Sequence, residues 1–163
     1  MARSVFYSFH YVPDNQRAAK VRSIGAVEGN KPANDNDWET IKKGGDAAIQ
    51  RWIDGQMAGR SCAVVLVGAN TAGRKWINYE ILKAWNDEKG VVGIHIHNLT
   101  NLAGETIRKG SNPFSRVSAR SRSMASVVKC YDPPYVTSPN VYSYIKDNIA
   151  GWIEEAIVIR KNN

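Results

Sequence analysis

Six consecutive apolar residues, Cys62-Ala63-Val64-Val65-Leu66-Val67, constrain the fold of this chain more than any other feature. A strand with one wet face alternates apolar and polar side chains. An unbroken run needs cover on both faces, the condition of an interior strand in a parallel sheet. Val91 to Ile96 reads as a second such strand. Ser4 to Phe9, dominated by β-branched and aromatic residues, predicts a first strand, and Val127 to Tyr131 a last one.

Between these runs the period changes to three and four. Ala48, Ile49, Trp52, Ile53 and Met57 predict a helix from Gly45 that ends near Gly59. Lys75 to Asp87 predicts another, with Trp76, Tyr79, Leu82 and Lys83 on one side and Ile81 and Trp85 beside them. A closing helix spans Tyr142 to about Ile159, striped by Ile145, Ile149, Trp152, Ile153 and Ala156. After the first strand, Pro13-Asp14-Asn15 reads as a turn and Gln16 to Ile24 as a helix. Glu28 to Asp37 is a loop or a very weak strand, and Asn98 to Ser126 a long polar loop.

Strands alternating with helices make βαβ units. The expected fold is α/β, a flavodoxin-like, doubly wound and mainly parallel sheet of about five strands, in a single domain over residues 1–163. In such sheets ligands bind beyond the carboxyl ends of the strands, so the segments after Phe9, Val67 and Ile96 are the places to look.

Composition narrows the class. The chain is 43% hydrophobic and 23% charged, as in soluble globular proteins. No apolar run reaches the roughly 20 residues of a membrane span. Met1-Ala2-Arg3-Ser4 leads directly into a strand without a signal-peptide pattern, so a cytoplasmic protein is expected. Cys62 and Cys130 read as small buried hydrophobes. His95 and His97 share one strand face, but no third ligand lies near in sequence, and no metal site is expected. The net charge of +7 suits nucleic acid or an anionic small molecule equally. The densest basic stretch, Arg108, Lys109, Arg116, Arg120 and Arg122, is rich in Ser and Gly and reads as a solvated loop, so a nucleic-acid partner is not expected.

The segment Gly68 to Ile81 combines loop polar groups, Asn70 among them, with a helix on which Trp76 and Glu80 share a face. A carboxylate on the apolar side of a helix is costly to bury without a partner. Alternatively, Glu80 pairs with Lys75 or Lys83 and faces water; spacing leaves both readings open.

Strand, turn and Trp-x-x-x-Glu resemble the signature of TIR domains, whose helix carries Trp-Cys-x-x-Glu; Ile77 stands in place of the Cys. Further segments resemble the TIR-like proteins of Thoeris antiphage defence: Phe6 to Tyr11, Trp38 to Ile49, Val64 to Gly68, Trp76 to Ile81, Gly93 to His97 and Asn112-Pro113-Phe114. The likeness runs from about Arg3 to Phe114. It departs at Lys31 to Asp37, where the family has a short apolar strand.

The resemblance implies an NAD glycohydrolase or cyclase with Glu80 as its catalytic carboxylate and Trp76 as the family's tryptophan. It implies NAD as substrate with no separate cofactor, and a cyclic ADP-ribose-type product that reaches a separate effector protein by diffusion. Self-association into a homo-oligomer and a phage-derived trigger are further implications. The alternative is a TIR-like interaction module without catalysis, since fold alone does not assign activity.

Cleaving the nicotinamide–ribose bond releases a leaving group that needs no general acid, through an oxocarbenium-like transition state. One carboxylate near the ribose therefore suffices. Phe9, Tyr11 and Trp38 are candidate walls for flat rings. Lys43 and the amides after Val67 are candidates for the diphosphate. Ser8 and His10 lie at the correct sheet edge. Each has a plainer reading: Phe9 as core, Tyr11 and Trp38 as loop cover, His10 as the end of a strand.

Overall fold

The computed structural model describes residues 3–25, 27–29 and 40–163. Its strands are β1 (Ser4–Ser8), β2 (Glu28–Gly29), β3 (Cys62–Val67), β4 (Gly90–His95), β5 (Ser118–Ala119), β6 (Arg122–Ser123) and β7 (Cys130–Tyr131). The longer helices are α1 (Tyr11–Arg22), α2 (Gly45–Met57), α3 (Lys75–Asn86) and α4 (Ser138–Lys161). Five strands form one sheet in the order β2-β1-β3-β4-β7, every neighbouring pair parallel. This is the flavodoxin-like order, and its switch point lies between β1 and β3.

The apolar run explains the layering. Along β3, Cys62, Val64 and Leu66 enter one core with α1 and α4, while Ala63, Val65 and Val67 enter the other with α2 and α3. All six residues are buried, as an interior strand covered on both faces requires.

Several elements differ from the sequence expectations. Pro13-Asp14-Asn15 is not a turn: α1 begins at Tyr11 and runs through it. A proline is compatible with the first helical turn, where its missing N–H has no intrahelical partner. Asp14, buried, makes the first backbone bond to His10. Of the segment Glu28 to Asp37, Glu28–Gly29 form β2; residues 30–39 lie outside those described. The loop over residues 98–126 carries two short 3-10 turns and the β5–β6 ribbon. The last strand is only Cys130–Tyr131, with Tyr131 stacked on Trp152 at 4.3 Å. The closing helix is longer at both ends than its apolar stripe indicated. Among the described residues no helix is long and apolar enough to cross a membrane.

Two loops meet behind the switch point. Arg17, 2% exposed, donates from Nε to the Leu99 carbonyl at 2.8 Å and from Nη2 to the Glu105 carbonyl at 2.7 Å. Asp14 lies 4.0 Å from Arg17, and burial lifts its carboxyl to about 6 against the pull of that cation. Gly68 packs on the Asp14 carboxylate: a Cβ there would lie 2.2 Å from Oδ2. Gly110 packs in turn on Gly68, with a Cβ landing 2.1 Å from the Gly68 carbonyl oxygen.

Gly110→Ala is therefore expected to lower stability by about 1–3 kcal/mol in equilibrium urea unfolding, because backbone must move to admit one methyl. Gly151→Ala, in open space on α4, is expected to raise it by about 0.4–1 kcal/mol. Equal effects at the two sites would contradict this packing.

Candidate active site

The carboxyl ends of β1 and β3 open into a cavity of about 600 Å³. Phe6, Phe9, Tyr11, Trp52 and Trp76 give it aromatic walls, and Glu80 is the acidic residue among its described lining. Arg22, Lys42, Arg74 and Lys75 add cationic groups.

Glu80 is on the face that α3 turns toward the sheet, not on the half-buried Trp76–Tyr79–Leu82 side that periodicity singled out. The buried residues of α3 are Ile77, Glu80, Ile81, Ala84 and Trp85. The α2–sheet core takes that face because Ile77, Ile81 and Trp85 pack into it. The carboxylate is only 9% exposed. The solvated alternative does not occur, since Lys75 pairs with Asp46 and Lys83 with Asp87.

Burial raises the Glu80 carboxyl to about 8, and the nearby Ser8 hydroxyl opposes this only partly. Ser8 is itself 1% exposed at the end of β1, facing the α2–α3 side of the sheet. Although Ser8 is near enough to lower that pKa, neither Ser8 Oγ nor Glu80 Oε2 has a formed hydrogen bond. An orphaned buried carboxylate oxygen in a native fold calls for an explanation, and a ligand is one.

The aromatic walls are held in place. Trp76 meets Tyr79 edge to face at 5.6 Å, and the Lys75 ammonium lies 5.0 Å from the Trp76 ring. Tyr79 donates to Asp54 of α2 at 2.7 Å. Phe9 and Tyr11 form a tilted pair at 6.2 Å. Asn70 accepts from Arg108 at 2.6 Å, which ties one basic residue of the long loop to the cavity rim. Lys109 of the same stretch pairs with Asp132.

A family model described as "Thoeris protein ThsB, TIR-like domain" matches residues 6–101. The chain belongs to that family. It is also 36% identical over 119 residues to the Bacillus cereus (strain MSX-D12) protein named "Putative cyclic ADP-D-ribose synthase ThsB1". That match covers 70% of this chain and 62% of the relative, so the chain spans less than two thirds of the relative's length. Every residue lining the cavity of this Thoeris TIR-like chain falls inside the family match.

Of the residues singled out in the sequence, Phe9, His10, Tyr11, Asn70, Trp76 and Glu80 line the cavity. Ser8 lies buried beside Glu80. Lys43 is exposed and outside the lining; its neighbour Lys42 takes that place. Trp38 lies outside the described residues. Sequence reasoning missed Trp52, which its stripe presented as core, and Arg74, which ends a loop without periodicity. His95 and His97 are buried with ring centroids 5.8 Å apart, and among the described residues no three His, Cys, Asp or Glu side chains converge as a metal site.

Glu80 has a measurable signature in stability. The folded state holds its proton to about pH 8, while the unfolded chain releases it near the usual 4.5. Between these values the folded state binds more protons, so stability falls as pH rises. Glu80→Gln removes that loss. Its melting temperature is expected to exceed that of the wild type by a margin that grows from pH 5 to pH 8. A constant or shrinking margin would show that the carboxyl titrates normally.

Proposed function

We propose that this chain cleaves NAD at the nicotinamide–ribose bond, with Glu80 as the catalytic carboxylate, and closes the remainder into a cyclic ADP-ribose-type product. The supporting observation is the orphaned Glu80 carboxylate in a cavity with aromatic walls and cationic groups. The name of the Bacillus relative, a cyclic ADP-D-ribose synthase, points the same way.

In the free protein, burial keeps Glu80 mostly protonated at pH 7. A bound nicotinamide-ribosyl group carries positive charge, and an opposite charge close by favours the carboxylate. Cation and carboxylate thus create the reactive state together. As the glycosidic bond breaks, positive charge moves from the pyridinium onto the ribose, where the carboxylate opposes it in a site largely shut from water. Trp76, Phe9 and Tyr11 offer ring faces to the two bases, Ser8 and Asn70 offer hydrogen bonds, and Lys42 offers charge to the diphosphate. The cyclic product would reach a separate effector by diffusion. Homo-oligomer formation and a phage-derived trigger complete this reading of a cytoplasmic defence enzyme.

The test follows nicotinamide release from NAD by the purified protein, with chromatography of the products. Glu80→Gln is expected to lower the rate by at least about 100-fold. Because the ionised form acts, kcat/KM is expected to climb with pH and level off above the free-protein value of about 8. Activity that survives the substitution would contradict the assignment of Glu80 as the catalytic carboxylate.

A further inference from the structure

Resting on the NAD-cleavage reading, we propose that His10 accepts the proton of the oxygen nucleophile that captures the ribosyl cation. That reaction has one proton without a destination. When the glycosidic bond breaks, its electron pair leaves with nicotinamide, which departs neutral and takes no proton. A new bond then forms between the ribose carbon and an oxygen, from water or from a hydroxyl elsewhere in the same substrate. That oxygen sheds a proton, so each oxygen-linked product is accompanied by one H+.

Among the described residues around the cavity few groups are suited to take it. Arg22, Lys42, Arg74 and Lys75 are protonated donors with no acceptor site. Tyr7 is buried, and its phenol is pushed far above the usual range. Glu80 opposes the cation, and protonating it while that charge persists would remove the stabilisation. Asp14 is fully buried against Gly68 and is not part of the lining.

His10 remains. It follows β1, two residues beyond Ser8, and lines the same cavity as Glu80. Its Nδ1 is buried without a hydrogen-bond partner, which leaves Nε2 as the nitrogen for the cavity side. Among the described residues no hydrogen bond engages Nδ1. Burial and the nearby Arg74 charge hold its pKa below the usual imidazole range, so the ring is a neutral base at pH 7. In this account Nε2 takes the proton as the carbon–oxygen bond forms and passes it to water at the cavity mouth.

The test compares nucleophiles that carry a proton with one that does not. NAD is supplied together with 3-acetylpyridine, whose ring nitrogen attacks the same cation with no proton to lose. In His10→Gln, ADP-ribose and oxygen-linked cyclic products are expected to fall about 100-fold, with pyridine exchange falling far less. Added imidazole is expected to restore the oxygen-linked products in His10→Ala. Equal loss of both product classes, or an unchanged ratio, would overturn the assignment. A wild type that releases no nicotinamide would instead overturn the NAD reading. His10 is then judged without turnover, by NMR of its ring in Glu80→Gln. The ring is expected to be neutral at pH 7 and to shift when ADP-ribose is added. A ring protonated at pH 7, or unmoved by ADP-ribose, would overturn the role.

Discussion

A carboxylate held out of water without a counter-charge is the constraint on which the rest of this site depends. Glu80 lies between Ile77 and Ile81 on the buried face of α3. Burying an ion costs several kcal/mol even after relaxation. The surrounding residues offset little of that. Lys75 and Lys83 are engaged by Asp46 and Asp87, and Ser8 opposes the shift only partly. The result is a proton retained to about pH 8 and an oxygen atom with no partner. Such local violations of the packing rules concentrate where a protein binds or reacts.

The fold supplies the rigidity this arrangement needs. β3 is covered on both faces, so α3 is pressed onto a sheet core through Ile77, Ile81, Ala84 and Trp85. β1 runs parallel beside β3 and ends at Ser8, which brings Ser8, Phe9 and His10 to the same edge as the α3 N-terminus. Behind them, Arg17 binds the carbonyls of Leu99 and Glu105 while Gly68 and Gly110 admit close backbone contact. A loop that carries cavity residues is thereby braced by a second loop that carries none.

Much of the architecture was legible because it rests on periodicity. Unbroken apolar runs marked β3 and β4, and three-and-four spacing marked α2, α3 and α4. The α1 start was not legible, since Pro and Asn signal turns as readily as first helical turns. The orientation of α3 was not either: its half-exposed aromatics made an apolar stripe as convincing as the buried one, and only tertiary packing chose between them. Glu80 stood out by spacing and by its likeness to the TIR signature. Its isolation depended on where Lys75 and Lys83 found partners, and those partners lie 29 residues away on another helix for one and a single turn onward for the other. Lys42 against Lys43 turned on a helical phase that the unpatterned segment before it could not set.

Carboxyl-selective carbon NMR reads the ionisation of Glu80 directly. The Glu80 signal is assigned by its absence in Glu80→Gln, then titrated in the free protein and with a non-hydrolysable NAD analogue that keeps the pyridinium charge. The expected result is a midpoint near 8 in the free protein that moves down when the cationic ligand binds. A midpoint in the ordinary carboxyl range without ligand, or one that the ligand leaves in place, would contradict the account.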